Sequence, residues 1–391
     1  MPSRLQSFLL HIAILACIAT GFWYLVDRGP SATSTQDMKM TTQIPAQAAA
    51  ANTAIEEFQP APQTPAPKEV ATTTATKTSV KKATPQEAVI QKAPDNQAKR
   101  VLNPYSFAPI PFEAVNAITR PALVNILCKP RGAGAVLSPV SGSGVLIDPR
   151  GVILTNAHVG QYVLLAQSAR INLTCVIRTG APATPRWSAE VLYIPPLWVE
   201  AHAHEISATH PMGTGEHDYA LLRITGSLDT APLPNPFPSL SPDTREAIGF
   251  STDQVLAVSY PAEFLASAAQ YNLYPASSVT TVGQLMTFAT KTVDVISLGG
   301  IVGAQGGSSG GAVVNAWGRL IALISTTSEG DTTAERDLRA ISLSYVNRDL
   351  AAQTRFDLAT ILGGDIAAQA IEFNKKTAPR LIELYLAEIA N

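Results

Sequence analysis

The sequence predicts an all-β domain of the sandwich or barrel kind, preceded by an apolar segment and a low-complexity linker and followed by C-terminal helices. Two observations carry the all-β prediction. About twelve short β-branched runs occur between residues 122 and 344, at 122–128, 144–147, 152–155, 171–177, 189–194, 219–224, 255–260, 278–285, 293–298, 312–315, 320–325 and 340–344. Gly- and Pro-rich turns separate them, which is the spacing of strands that fold back on one another. A third observation bounds the domain. The 391-residue chain is 46% hydrophobic and only 15% charged, so a unit of about 200–250 residues buries a generous core.

The N-terminus reads as a membrane element. Residues 8–26 form an apolar run in which His11 is the strongly polar side chain. At 1.5 Å rise per residue such a run spans a bilayer core of about 30 Å. Arg4 and the terminal amine precede it, and Asp27 and Arg28 cancel after it. The positive-inside bias then keeps the N-terminus cytoplasmic and exports the rest. Residues 1–28 are therefore expected to be a single-pass signal anchor in the cytoplasmic membrane, with the folded domain on the periplasmic or extracellular side. A cleaved signal peptide is the competing reading, but Trp23, Tyr24, Leu25 and Val26 prolong the apolar run past the length of a signal h-region.

Residues 29–102 change composition to Ala, Thr, Pro, Gln and Lys. Large apolar residues are sparse and aperiodic there, so the segment has too little surface to bury to offset its ordering entropy, and a disordered linker is expected. As a flexible coil it reaches roughly 45–50 Å, enough to hold a domain clear of a bilayer. The folded domain is placed at 103–347. After it the period changes to that of helices, with helices expected over 349–362, 365–376 and from Ala378 onward, stopped or started by Gly363, Gly364 and Pro379. This 348–391 extension is expected to pack on the domain.

Charge excludes one class of partner. The formal net charge is -2, and no basic patch interleaved with aromatics is present, so nucleic acid is not expected. Of three cysteines, Cys17 falls in the apolar run, which leaves Cys128 and Cys175 as the available disulfide pair. Two buried thiols and an oxidised pair in an exported protein both fit that spacing. His202, His204, His210 and His217 cluster between two strands. No cysteine or acidic set completes a zinc site there, and no metal or cofactor is expected.

Three stretches carry chemistry. Ser141-Gly142-Ser143-Gly144 leads through a hairpin to Thr155-Asn156-Ala157-His158, which delivers a histidine at a strand end. In His217-Asp218-Tyr219-Ala220, an acid opens an apolar strand, where an unpaired carboxylate is costly. In Gly306-Gly307-Ser308-Ser309-Gly310-Gly311, a serine sits among glycines that free the backbone for tight turns. Each is ordinary alone. Their order across an all-β pattern is what points to nucleophilic catalysis.

These motifs resemble those of the trypsin-like serine peptidases, closest to the bacterial HtrA-type branch. In that family Thr-Asn-His-Val, Asp-x-Ala-Leu-Leu and Gly-x-Ser-Gly-Gly occur in this order. The resemblance covers residues 121–346. It implies two six-stranded antiparallel Greek-key barrels, at about 120–230 and 245–347. It also implies a serine endopeptidase acting on polypeptides with His158, Asp218 and Ser309 as triad, and the N–H groups of Gly307 and Ser309 as oxyanion hole. The register selects Ser309 over Ser308, because Gly310-Gly311 follows Ser309 directly. By the family's spacing the primary pocket falls at Gly303 and Ala304, facing Ser325 and Thr326. No acid lies at its base, which favours small or medium apolar side chains over Lys or Arg.

Two departures stand out. Ser308 occupies the place of an aspartate that pairs with a new N-terminus in cleavage-activated relatives. The segment after Ser309 is also too short to finish a barrel and add the PDZ module of HtrA-type chains. The contrasting reading is a catalytically silent protease-fold module that binds or scaffolds at the cell envelope. The sequence leaves the oligomeric state open.

Overall fold

A computed structural model describes residues 91–92, 103–132, 137–208, 213–246, 249–288 and 291–390. Contacts divide the chain into 1–81 and 82–391, and all described residues lie in the second unit. The predicted anchor and all but two residues of the predicted linker lie outside the described residues. Among the described residues no helix is long and apolar enough to cross a membrane.

The first half is a closed six-stranded barrel. Its strands are β2 (Leu123–Pro130), β3 (Val140–Asp148), β4 (Val152–Thr155), β5 (Leu173–Thr179), β6 (Thr184–Tyr193) and β7 (Ala220–Ser227), after a two-residue strand β1 (Gln91–Lys92) that belongs elsewhere. They pair antiparallel in the order β2-β3-β4-β7-β6-β5, and β5 returns to β2. Val124, Ile126, Val145, Ile153, Leu154, Val191 and Leu222 are fully buried inside it. The register sets Cys128 opposite Cys175, and the structure joins them in a disulfide that spans 47 residues of sequence.

The second half is an eight-stranded antiparallel sheet rather than a six-stranded barrel. Its strands are β8 (Gln254–Ser259), β9 (Ala276–Thr281), β10 (Leu285–Thr287), β11 (Val295–Gly299), β12 (Ala312–Asn315), β13 (Leu320–Thr327) and β14 (Leu338–Ser342), with β1 added at one edge. Their order is β1-β10-β11-β14-β13-β12-β8-β9. Two corrections explain the count. The run expected as one strand at 278–285 breaks at Gly283, where Gly283 N donates to Ser297 O (2.8 Å) and Ser297 N to Gln284 O (2.9 Å). The chain expected as linker through residue 102 supplies β1, with Gln91 opposite Thr287 and Lys92 opposite Met286.

Among the described residues seven α-helices accompany the strands. They are α1 (Phe112–Thr119), α2 (Ala157–Ala166), α3 (Pro196–His202), α4 (Leu343–Thr354), α5 (Leu358–Gly363), α6 (Ile366–Lys376) and α7 (Ala378–Ile389). The helix expected over 349–362 begins earlier, where the Ser342 side chain accepts from Tyr345 N (3.1 Å) and caps α4. It stops at Arg355, whose φ of 69° is left-handed, and Asp357 caps α5. Phe373 of α6 meets Tyr193 of β6 edge to face at 5.8 Å, and Leu381 and Tyr385 of α7 are fully buried. The C-terminal helices thus form part of the first barrel's outer layer.

The segment 187–216, which holds the histidine cluster, is mostly built structure. Its first residues complete β6, and α3 follows, with Trp198 and Val199 buried. His202 stacks on Trp198 (4.7 Å between centroids) and its Nδ1 bonds Trp198 O (2.9 Å). His204 is paired with Glu205, and His210 lies outside the described residues.

Candidate active site

The histidine is placed by a helix start. β4 ends at Thr155, Asn156 occupies the N-cap position with extended backbone, and His158 is the second residue of α2. Asn156 Nδ2 donates to Asp218 O (2.9 Å), and Gln161 Nε2 donates to His158 O (2.9 Å). Helix start and acid strand are therefore tied before any catalytic group is considered.

Asp218 lies just before β7 and is 4% exposed. His158 N donates to Asp218 Oδ1 (3.0 Å), His158 Nδ1 lies 2.8 Å from Oδ2, and Ser325 Oγ donates to Oδ2 (2.7 Å). Three donors on one buried carboxylate offset its desolvation. Burial alone drives its pKa up, but the charge and hydrogen bonds of His158, helped by Ser325, hold it below the ordinary carboxylate value. Burial likewise drives His158 down, and the Asp218 charge and hydrogen bond outweigh it and leave the imidazole above its ordinary value. A tautomer with the proton on Nδ1, facing Asp218, leaves Nε2 as the acceptor.

Ser309 sits in the turn before β12. Its carbonyl accepts from Ser143 N (2.7 Å), and its Oγ donates to Ser325 O (3.3 Å) rather than to His158. Without substrate, hydrogen bonds of a nucleophile are often loose and tighten only in the complex. Gly310 follows with φ of 85°, and a Cβ there would lie 2.0 Å from Ser143 O. Only glycine permits that approach, so the turn that presents Ser309 is fixed by both conformation and space. Ser308 is different. It is 1% exposed, and its hydroxyl accepts from Ser259 Oγ (3.0 Å) deep in the core.

The backbone N–H groups of Gly307 and Ser309 have no partner among the described residues, so both are free to receive an anion. The loop carrying them is braced. Gly306 O accepts from Ala262 N (2.8 Å) and Glu263 N (3.1 Å), and Gly306 N donates to Glu263 Oε2 (2.7 Å). Arg336 forks onto Glu263 with bonds of 2.8 and 2.9 Å and also donates to Ala304 O (3.2 Å). Ser143 Oγ donates to Gly307 O (2.8 Å) and accepts from Tyr260 N (2.8 Å), which ties the first barrel to this loop. A cleft of about 240 Å³ beside Gly306 and Gly307 is lined by Leu127, Val140, Ser141 and Ala262.

Of the four residues assigned to the substrate pocket, Gly303 and Ala304 are buried in the loop between β11 and β12, and Ser325 and Thr326 lie on β13. The Ser325 hydroxyl is taken by Asp218, so that residue supports the acid as well as lining β13. Sequence reasoning did not single out Ser143, Glu263 or Arg336. Ser143 stood in a quoted Gly-Ser motif, but the other two carry no local signal.

A second cavity, about 850 Å³, lies between β6 and the C-terminal helices, and none of His158, Asp218, Ser309 and Gly307 lines it.

Residues 142–323 match the family model of the trypsin-like peptidase domain. No curated protein matches the chain. Among solved structures, a serine endoprotease from Yersinia pestis aligns at 20% identity and a TM-score of 0.39, over 64% of this chain and 68% of that one. The inactive alanine-mutant form of Rv3671c from M. tuberculosis H37Rv aligns at 18% identity and a TM-score of 0.39, over 64% of this chain and 96% of that one. The matched span contains the His158 helix start, the Asp218 turn and the Ser309 turn, and this part of the chain is a trypsin-like peptidase domain.

Proposed function

We propose that the chain is a membrane-tethered endopeptidase that hydrolyses exported polypeptides through Ser309, His158 and Asp218. The observation that supports this most is the buried Asp218 carboxylate, which receives both His158 donors while two free N–H groups flank Ser309. Ser309 Oγ attacks the peptide carbonyl, His158 Nε2 takes its proton and returns it to the leaving amine, and water repeats the cycle on the acyl-enzyme. Asp218 holds the imidazole tautomer and stabilises the imidazolium. The N–H groups of Gly307 and Ser309 receive the oxyanion.

The tether rests on the apolar run at 8–26 and the low-complexity segment after it, which would place the domain outside the cytoplasmic membrane. The Cys128–Cys175 disulfide is in keeping with an oxidising compartment. Ser308, buried against the Ser259 hydroxyl, offers no charge to a new N-terminus, which favours a peptidase active without such cleavage. No observation favours the silent scaffold.

Fluorogenic peptides varied at the residue before the scissile bond test the activity and the pocket together. Cleavage after small or medium apolar residues, lost in Ser309→Ala, is expected. A profile dominated by Lys or Arg would refute the pocket assignment, and cleavage that survives in Ser309→Ala would refute the nucleophile.

The pH profile has a fixed sign. His158 must be neutral to act as base, and Asp218 raises its affinity for the proton. Activity is therefore lost as pH falls, and kcat/KM is expected to reach half its plateau above the ordinary histidine value of 6.5. A midpoint below 6.5 would show that Asp218 is not paired with the working base.

A further inference from the structure

The residue before Asp218 is a second histidine with a second acid. His217 adopts φ of 58°, a left-handed conformation that is strained for a non-glycine residue. Such a residue persists only where its surroundings over-determine it. Here they do, and they come from α4. Tyr345 OH accepts from His217 N (2.9 Å), and His217 Nδ1 lies 2.8 Å from Asp349 Oδ1. Asp349 Oδ2 accepts from Gln353 Nε2 (2.7 Å), and Gln353 Oε1 accepts from Tyr193 OH (3.3 Å) on β6.

The turn that His217 shapes is tight on both sides. Asp218 N donates to Gly215 O (3.2 Å), and Tyr219 N donates to His217 O (2.9 Å). Any shift of His217 therefore moves the backbone that carries the Asp218 carboxylate. Asp349 is 9% exposed, and a carboxylate that buried needs a cationic or donor partner. The Asp349 hydrogen bond, working against burial, holds the His217 imidazole above its ordinary value. Glu216 on the same turn adds to this, and its Oε1 lies 3.9 Å from His217 Nε2. The remaining ionisable groups around Asp349 are the phenols of Tyr193, Tyr219 and Tyr345, all raised by burial first and the Asp349 charge second or later.

We propose that His217 and Asp349 are a positioning pair for catalysis: through them α4 fixes the turn that presents the Asp218 carboxylate to His158. The inference rests on the triad assigned above. It gives the C-terminal segment a part in the active site that its sequence alone does not suggest. It also explains why a histidine, rather than glycine, stands at a left-handed position: glycine would adopt the conformation freely but would leave both the turn and Asp349 unanchored.

The test uses the full chain and a short peptide ester substrate, in wild type, Asp349→Ala, Asp349→Asn, His217→Ala and His217→Asn, each also in an Asp218→Ala background. Asp349→Ala and His217→Ala are expected to lower kcat about 10- to 100-fold, the scale of a displaced catalytic group, with KM within about twofold. His217→Asn, which tolerates the left-handed backbone and can still donate to Asp349, is expected to recover most of kcat. In the Asp218→Ala background the same replacements are expected to be silent, because the carboxylate they position is gone. Asp349→Asn keeps the shape and the Gln353 contact, so it reads out the pair if the alanine variant does not fold. Equal kcat in Asp349→Asn and wild type, or an undiminished effect in the Asp218→Ala background, would overturn the positioning role. Loss of the triad reading looks different, since wild type itself would then turn over no ester through Ser309.

Discussion

Alanine at Ser309 or at His158 is expected to cut peptide hydrolysis by about six orders of magnitude, and both together no further. In the proposed mechanism the two side chains act in one step, so removing either removes the step. What survives is the contribution of the free Gly307 and Ser309 N–H groups and of substrate binding. The non-additivity is the informative part. If the double variant were slower than either single one by another factor comparable to the first, the two residues would be acting in separate steps. Folding is not at issue for Ser309→Ala: the turn is held by its backbone, through Ser143 N to Ser309 O and Gly310 N to Ile324 O, both untouched by the change. Thermal melting of the variant should match wild type.

Asparagine at Asp218 is expected to lower kcat by about four orders of magnitude while leaving the protein folded. Asp218 accepts from His158 N, His158 Nδ1 and Ser325 Oγ. An amide can accept at one atom only, so its NH₂ faces a ring nitrogen and turns the imidazole to the wrong tautomer. The change also removes the charge that raises His158, so whatever activity remains should have its acid limb at lower pH than wild type. Stability follows the same pair. The Asp218 contribution is present above the ordinary carboxylate value and is lost as pH falls through its depressed folded value. The His158 contribution is present below 6.5 and is lost as pH rises through its raised folded value. A variant that kept near wild-type kcat would remove Asp218 from the mechanism.

The parts of the site that could be read from sequence are those whose signal is local. His158, Asp218 and Ser309 each end or begin a short apolar run, and the glycines around Ser309 mark a turn. The structure shows why those glycines are there, since Gly310 lies against Ser143 O. The second layer left no such trace. Ser143 and Gly307 are 164 residues apart, Glu263 and Arg336 are 73 apart, and His217 and Asp349 are 132 apart. A brace of that kind is set by how sheets and helices stack, and its residue types look like ordinary surface polars. His217 was read as one of several loop histidines because its partner arrives on a helix from the far end of the chain.

The fold was legible to the same depth. Apolar runs located the strands of both halves because burial on a sheet dictates their composition. α2 was missed because Val159, Val163, Leu164 and Leu165 read as core in any conformation, and the turn after β4 is decided by tertiary packing. The eight-stranded second sheet differs from the six-strand expectation for two separate reasons. A glycine break is set by the neighbouring strand, and the two-residue β1 is too short to have a period of its own.

The central claim is that Ser309, activated by His158, is the nucleophile. Reaction of the full chain with a fluorophosphonate, followed by peptide mapping in a mass spectrometer, tests it most directly. The structure leads to a single adduct on Ser309, absent in Ser309→Ala and in His158→Ala. An adduct on Ser308, or a folded protein that takes no label at all, would contradict it.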